Sequence, residues 1–336
     1  MIKNIDMSSY GPINELSCQD CLQNINLVIG TNGSGKTFFL KALYSALKTV
    51  EQYQRDKEPK SQKELLFDAL YWTYQGRSLG NLVKKGSSTL TFSMKSDKNE
   101  SFAYSFGVTT VKSIQSLTST FAPTTVNSIF IPAKEIVTVQ DIILKSFDVD
   151  RSFGFDKTYV DLSKALSKTI KGRNYKEFSS ARKILNDAIG GKIEYDTANQ
   201  EWIFRDKDRK IFEINLTSEG TKRLAILDLL LGNHYLTRDS VVIIDEAEAN
   251  LHPSMIGKFM GILVKLAKAG LQIFISSHSY FVIKKLYILA HKEKMSIPVI
   301  SFEGNGEVAI SDLLMGMPDN PIIDESINLY EEEILL

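Results

Sequence analysis

Residues 30–37 read Gly-Thr-Asn-Gly-Ser-Gly-Lys-Thr and fit the pattern G-x-x-x-x-G-K-[ST]. The apolar run 25–29 precedes them, and a segment with helical apolar spacing follows. A strand that passes through such a loop into a helix turns backbone N–H groups and the positive helix end toward one anion. In this pattern Lys36 contacts the terminal phosphates and the hydroxyl of Thr37 binds Mg²⁺. The predicted nucleotide-binding residues are Gly30, Asn32, Gly33, Ser34, Gly35, Lys36, Thr37 and Phe38.

A pair of acidic residues, Asp245 and Glu246, follows the continuous β-branched run 241–244. Such a run is typical of a parallel strand that is buried on both faces. The end of this strand would place Asp245 beside the phosphate loop, where a carboxylate holds Mg²⁺ through water. Glu246 would point toward the attacking water as a general base. Together with the loop, the pair predicts ATP hydrolysis, with Lys36 and Glu246 catalytic and with Thr37 and Asp245 as metal ligands.

Hydrophobic periodicity predicts the elements that position these residues. Beyond residue 218, strands and helices alternate, which predicts an α/β fold with a parallel core and right-handed crossovers. The predicted strands are two or three within residues 1–30, then 89–94, 102–108, 126–131, 241–244, 271–275, 297–302 and 307–310. The predicted helices are 35–51, 62–76, 219–231, 255–269 and 280–290, with 134–190 mostly helical and 192–214 a hairpin or meander.

The composition is typical of a soluble globular protein, with 43% hydrophobic and 24% charged residues. The chain has no run of roughly 18 apolar residues and no signal-peptide pattern, so we expect no membrane span and a cytoplasmic location. The 40 basic and 40 acidic residues cancel but are unevenly distributed. The charged residues within 164–192 are mostly basic, and residues 295–336 contain no Lys or Arg. These segments are either solvated faces or docking surfaces.

Cys18 and Cys21 are the only cysteines of the chain. Their C-x-x-C spacing occurs in redox pairs and in zinc sites. The chain has no second C-x-x-C, and its four histidines show no ligand spacing with this one. We therefore expect two reduced thiols without a special role.

Three further segments carry a resemblance to a known family. Residues 245–253, D-E-A-E-A-N-L-H-P, resemble the D-E-P-E-x-x-L-H-P segment of the ABC-type ATPases grouped with the overcoming-lysogenization-defect, RecF and SMC proteins. Residues 216–223 resemble the signature loop of that branch, and residues 275–279 resemble its switch-histidine loop. With the phosphate loop, four motifs therefore occur in the order that the family has. His252 and Pro253 themselves fit a turn and a helix start.

The resemblance implies that two copies of the chain sandwich two ATP molecules. Ser218 and the N–H of Gly220 would hold the γ-phosphate bound by the other copy, and His278 would contact the same phosphate from its own copy. Read alone, Ser218 also fits a helix N-cap. The residues leave the base open between adenine and guanine, and Tyr10 is the candidate for stacking on it.

The resemblance also implies the domain organisation. It predicts a P-loop NTPase with a single ABC-type ATPase head over residues 1–336, with a mixed sheet core, flanking helices and a helical lobe. The predicted nucleotide-binding lobe is 1–50 and 236–310, the helical lobe with the signature is 51–235, and 311–336 is an acidic C-terminal segment.

The chain departs from the family pattern after the strand 126–131, where a glutamine usually meets Mg²⁺. Lys134, Glu135 and Gln140 are the candidates to replace it, and the sequence does not choose among them. The signature lacks its double glycine and its final glutamine, which argues against a transporter subunit. The insertion before the signature is too short for long coiled-coil arms. The chain ends soon after the last predicted strand, so no Toprim domain is expected.

These observations predict an ATP-binding and ATP-hydrolysing homodimer, or a larger oligomer built from it. By resemblance, it would regulate a separate effector such as a nuclease or toxin in anti-phage defence. The alternative is a RecF-like DNA-binding repair ATPase, in which the basic segment 164–192 contacts phosphates. The expected cofactors are ATP and Mg²⁺.

Overall fold

The computed structural model describes residues 1–55, 60–168 and 174–336. The strands are β1 (Ile2–Tyr10), β2 (Ile13–Cys18), β3 (Ile25–Gly30), β4 (Thr89–Ser96), β5 (Ser101–Gly107), β6 (Ser116–Ser119), β7 (Ser128–Ile131), β8 (Gly191–Asp196), β9 (Glu201–Asp206), β10 (Ile211–Glu213), β11 (Val241–Ile244), β12 (Gln272–Ser276), β13 (Pro298–Phe302) and β14 (Val308–Asp312). The helices are α1 (Lys36–Gln52), α2 (Gln62–Tyr74), α3 (Gln140–Asp148), α4 (Lys157–Leu166), α5 (Lys176–Ile189), α6 (Glu219–Gly232), α7 (Pro253–Lys268), α8 (Tyr280–Glu293) and α9 (Pro321–Ile334).

The central sheet has the strand order β14-β13-β3-β12-β11-β7. All neighbouring pairs are parallel except β13 with β14, which is antiparallel. The sheet is therefore mixed, and the predicted α/β fold with a parallel core is confirmed. Because β3, β12 and β11 are adjacent, the loops that follow them meet at the same edge of the sheet.

Helices cover both faces of this sheet, because alternate residues of each buried strand point to opposite sides. In β3, Leu27 packs with the residues of α6, α7 and α8, while Val28 packs with those of α1. In β11, Ile244 likewise packs on the face covered by α6, α7 and α8, and Ile243 packs on the face covered by α1. This two-sided burial explains why the core strands read as continuous apolar runs in the sequence.

A second, antiparallel sheet has the order β2-β1-β4-β5-β6 and packs against α1. The segment 51–235, expected as a helical lobe, thus contributes three strands to the sheet that β1 and β2 begin. A third sheet, β10-β9-β8, is the predicted meander. β6 and α9 were not predicted, because β6 has only four residues and α9 lies in the C-terminal segment for which only the acidic charge was noted.

A buried ion pair connects α1 to the start of β7. Lys48 Nζ donates to both carboxylate oxygens of Glu51 at 2.8 Å. Glu51 Oε2 also accepts from the backbone N–H of Ser128 at 2.8 Å and from its hydroxyl at 2.7 Å. Removal of one partner from such a buried pair costs roughly 3–5 kcal/mol, so the pair fixes the strand that leads to residues 132–140.

The expectation of two reduced thiols is wrong in this structure, in which Cys18 and Cys21 form a disulfide. The end of β2 turns back within three residues, and this turn brings the two Cα atoms to 5.6 Å, within the range that a disulfide spans. Within the described residues, no helix combines the length and the apolar character that a membrane crossing requires.

Candidate nucleotide site

The phosphate loop connects β3 to α1 as predicted. Gly30 has φ 146°, and a Cβ there would lie 2.4 Å from the carbonyl oxygen of Phe302, so only glycine fits. Lys36 Nζ donates to the carbonyls of Gly30 at 2.8 Å and Thr31 at 2.9 Å. Burial lowers the pKa of Lys36, and the nearby carboxylates, Asp245 first, oppose this shift. The lysine therefore closes the loop around the position that a phosphate would take.

Thr37 and Asp245 lie together although they are far apart in sequence. The hydroxyl of Thr37 is 3.0 Å and 3.2 Å from the two carboxylate oxygens of Asp245. Asp245 is buried, and Ser276 at the end of β12 also donates to it. Adjacent β11 and β12 explain this contact, and Ser276 is a site residue that the sequence analysis missed.

The hydroxyl and carboxylate suit Mg²⁺, which proteins hold with one or two such groups while substrate phosphates complete the octahedron. Within residues 1–55, 60–168 and 174–336, His, Cys, Asp and Glu side chains form no cluster of three that could hold a metal alone. The donors present therefore fit a cation that arrives with a nucleotide. The roles of Thr37 and Asp245 as ligands remain predictions.

Glu246 follows Asp245 in a left-handed backbone conformation, with φ 48°. Its N–H donates to the hydroxyl of Ser276 at 2.8 Å. Non-glycine residues adopt this conformation rarely, and such strain is common at functional sites. The conformation turns the chain sharply between Asp245 and Ala247, so that the carboxylate of Glu246 stays partly exposed while Ala247 is buried.

Arg223, on α6, is the buried centre of the site and was not singled out from the sequence. Its Nη1 donates to the carbonyls of Pro132 at 2.8 Å and Ala133 at 2.6 Å. Its Nη2 donates to the carbonyls of Asp245 at 2.6 Å and Glu246 at 2.7 Å. One guanidinium thus joins the helix of the signature loop to the ends of β7 and β11. In the sequence, Lys222 and Arg223 are two adjacent basic residues near the start of an apolar-rich helix, and this pattern gave no signal for the role of Arg223.

His278 lies after β12, half-exposed, and faces Glu248. Its N–H donates to Glu248 Oε1 at 2.9 Å, and its Nδ1 is 3.4 Å from the same oxygen. The other oxygen, Glu248 Oε2, is buried without a hydrogen-bond partner. Glu248 therefore positions the histidine, and the second Glu of the D-E-A-E segment was the sequence signal for it.

The signature residues form the exposed start of α6. The N–H of Thr221 donates to Ser218 Oγ at 3.2 Å, so Ser218 is an N-cap, as its alternative interpretation predicted. Gly220 packs on the loop after β11, since a Cβ there would lie 2.6 Å from the carbonyl oxygen of Asn250. Ser218 is exposed, and its side chain forms hydrogen bonds with Thr221 and none with residues 30–37 of its own chain.

Of the three candidates to replace the glutamine, Gln140 is excluded. It is buried, its Nε2 donates to the carbonyl of Ser163 at 2.7 Å, and its Oε1 accepts from Trp202 Nε1 at 2.6 Å. Its amide group is therefore hydrogen-bonded to α4 and to β9 and is not free to reach a metal ion. Glu135 accepts from the N–H groups of residues 137 and 138, whereas Lys134 is exposed.

Two aromatic predictions have different outcomes. Tyr10 cannot stack on a base, because it is fully buried and its hydroxyl lies 2.9 Å from that of Tyr104. The ring of Phe38 packs 4.6 Å from the ring of Tyr74, and its role in nucleotide binding remains a prediction. Burial first, and then the charges of Asp156 and Asp245, raise the pKa of Tyr159 to about 12.

Two basic residues of the segment 164–192 are engaged in ion pairs in the described part of the chain. Arg182 donates to the buried Asp228 at 2.8 Å, and Lys164 pairs with Asp148 at 2.7 Å. Lys171 and Arg173, also part of that prediction, lie outside the described residues.

Comparisons with known proteins agree with this fold. A family model for an AAA domain, whose description names the AbiEii toxin and a type IV TA system, matches residues 119–284. This span includes the signature loop, Asp245–Glu246 and His278, but not the phosphate loop. A search of curated proteins finds no match.

Among solved structures, an Smc head bound to the C-winged helix domain of ScpA has a TM-score of 0.58 at 11% identity and covers 94% of this chain and 99% of its own. An Smc head with an extended coiled coil, bound to the C-terminal domain of ScpA from Pyrococcus furiosus, has a TM-score of 0.51 at 11% identity, with 98% of each chain covered. The SMC head domain from Thermotoga maritima has a TM-score of 0.48 at 16% identity, and the match covers 93% of this chain and 98% of its own.

The fold, the phosphate loop and the acidic pair together define the class of this protein. It has the fold of an ABC-type P-loop ATPase head, with helices on both sides of a mixed sheet. The first two structures support that fold, and the family model of an AAA domain matches just under half of the chain.

Proposed function

We propose that this protein is an ATP-hydrolysing switch that dimerises around ATP and regulates a separate effector protein, in anti-phage defence. The observation that carries the proposal is the position of Ser218, exposed at the start of α6 while Gly220 packs on the loop that follows Glu246. Leu216 is 77% exposed beside it, an apolar side chain that a second copy would cover.

In this proposal the dimer has two ATP sites, and each copy contributes one half of each site. Lys36 and the N–H groups of the phosphate loop bind the phosphates of one ATP, and Ser218 of the other copy binds the γ-phosphate of the same ATP. Glu246 accepts a proton from the attacking water, and His278, positioned by Glu248, holds the γ-phosphate. A bound Mg²⁺, held by Thr37 and Asp245, would neutralise charge on the phosphates. Loss of the γ-phosphate would weaken the dimer.

The comparisons bear on the proposed protein partner and on the proposed role in anti-phage defence. Two of the similar Smc heads were solved with domains of ScpA, a separate protein, which favours a protein partner for this head as well. The family description names a toxin and a TA system, which favours defence. The RecF-like alternative is disfavoured because Arg182 and Lys164, within its proposed basic surface, are already paired with acidic side chains.

The decisive experiment mixes two inactive variants. Lys36→Ala removes phosphate binding in its own copy, and Ser218→Arg blocks the site completed in the other copy. Each variant alone should lack ATPase activity. In a mixture, half of the dimers pair one variant with the other and keep one intact site, so roughly a quarter of wild-type activity should return. A mixture as inactive as its components, both being folded, would refute a shared site.

The variant Glu246→Gln provides a second test of the proposed function. This change should lower ATP turnover on the order of 10²–10⁴-fold while ATP stays bound. Light scattering with ATP and Mg²⁺ should then show an assembly larger than that of the nucleotide-free protein, and adding Ser218→Arg should abolish this increase. Co-purification from the native host would identify the effector.

A further inference from the structure

The outer layer of helices carries two surfaces that the nucleotide site does not use. The layer contains α5, α7, α8 and α9, which pack side by side in that order. A groove lies between α7 and α8, and α9 extends from the other side of α8. Both features are strongly charged, with opposite signs.

The groove has a volume of about 530 Å³ and a floor of small and apolar residues, among them Gly261, Ile262 and Leu289. A Cβ at Gly261 would meet nothing within 4 Å, so the floor is open to close approach. Five lysines line the groove: Lys258, Lys265, Lys268, Lys285 and Lys292. Lys268 pairs with Glu293, and in the described part of the chain no ion pair engages the other four. The groove therefore fits an acidic, partly apolar ligand.

The arm, which we define as residues 324–334 of α9, has the complementary pattern. Ile323, at its base, is buried in the core, but the apolar stripe continues through Ile327, Tyr330 and Ile334, which are 50%, 63% and 66% exposed. The spacing of four, three and four residues places them on one helix face. Glu331 and Glu333 lie on the two sides of this stripe, about 80° away from it. No ion pair in the described residues engages either one.

We propose that the arm of one copy docks into the groove of a second copy, forming an interface that needs no nucleotide. The apolar stripe would lie on the glycine-containing floor, and the glutamates would face the lysines on both rims. The helix order makes the contact reciprocal. With a two-fold axis along α8, α9 of each copy faces α7 and α8 of the other, so both arms are used.

The arm cannot fill its own groove in this structure, because Ile323 anchors it on the opposite side of α8. A nucleic-acid backbone is the main competing occupant of the lysine groove. A second copy is favoured because the apolar stripe needs an apolar partner, which phosphates do not provide, and because the acidic arm and basic groove match within one chain.

The test uses charge reversal in a Lys36→Ala background, so that an ATP-dependent dimer cannot contribute. The arm variant carries Glu331→Lys and Glu333→Lys, and the groove variant carries Lys265→Glu and Lys292→Glu. By light scattering without nucleotide, the parent should be a dimer and each variant a monomer. Equimolar mixing should restore the dimer, because both contacts in the mixed pair then join opposite charges. A matched control, Glu201→Lys with Asp208→Lys on the third sheet, should remain dimeric.

The proposal is overturned by a monomeric parent, by variants that stay dimeric, or by a mixture that stays monomeric. A monomer that binds duplex DNA through Lys265 and Lys292 would assign the groove to nucleic acid instead. Circular dichroism on each variant verifies folding. These outcomes are independent of the mixing experiment at the nucleotide site, so each interface can fail alone.

Discussion

Arg223 on α6 holds the carbonyl of Asp245 at the end of β11, with 2.6 Å between its Nη2 and that oxygen. The same guanidinium donates three further hydrogen bonds, to Glu246 and to the two residues that follow β7. Movement of the signature helix is therefore mechanically connected to the residues that would bind Mg²⁺ and water.

Arg223→Lys should uncouple these elements. A lysine ammonium is a point charge with three donors that cannot reproduce the planar fork, so at least one of the four carbonyls would lose its donor. We expect ATP turnover to fall on the order of tenfold or more, and the unfolding free energy to fall by roughly 1.5–3 kcal/mol. Steady-state ATPase assays and urea unfolding measure the two effects. Unchanged turnover would show that the four bonds serve only stability.

Gly220→Ala should weaken the proposed ATP-dependent dimer. The added Cβ would lie 2.6 Å from the carbonyl oxygen of Asn250, so the signature loop must separate from the loop after β11. Such overpacking costs typically 1–3 kcal/mol, which predicts a dimer dissociation constant raised on the order of tenfold.

The matched control for this prediction is Gly316→Ala, where a Cβ meets nothing within 4 Å. Analytical ultracentrifugation with ATP in the Glu246→Gln background compares the two variants. Equal dimer stability in both would contradict the role given to Gly220.

Gln140→Leu should act on stability and leave Mg²⁺ dependence unchanged. The change removes the acceptor of Trp202 and the donor to the Ser163 carbonyl, both buried. Unsatisfied buried groups of this kind cost roughly 1–3 kcal/mol, which urea unfolding measures. A higher Mg²⁺ requirement at unchanged stability would instead restore Gln140 as the missing metal-site residue.

The lowered pKa of Lys36 predicts a pH dependence of ATP binding. Burial places this pKa below the ordinary 10.5, so between the two values the unfolded chain binds more protons and stability rises with pH. Bound phosphates would raise the pKa again, so ATP binding takes up a proton in that window and affinity falls as pH rises.

Calorimetry in two buffers with different ionisation heats measures this proton uptake. It should be larger in alkaline than in neutral buffer, because at neutral pH Lys36 is already protonated in the free protein. An uptake that does not grow with pH would place the relevant titration elsewhere.

The sequence alone determined the parts of this protein that depend on local order. The loop 30–37 needs glycines, a lysine and a hydroxyl in fixed succession between a strand and a helix, and such short-range requirements are visible in the letters. Continuous apolar runs indicated β3, β11 and β12, because strands buried on both faces have no polar positions. Asp245 and Glu246 followed from the end of one such strand.

Only the tertiary structure decided how distant segments meet. Arg223, Ser276 and Glu248 gain their roles from strand order and helix packing, which bring carbonyls and carboxylates from four segments within hydrogen-bonding distance of one another. Tyr10, the candidate for stacking on the base, and Gln140, one of three candidates to replace the glutamine, are excluded for the same reason, since burial and partners, not residue type, decide whether a polar or aromatic side chain is free to bind. The pairing of β4–β6 with β1 joins residues far apart in the chain, and no local periodicity encodes such a pairing.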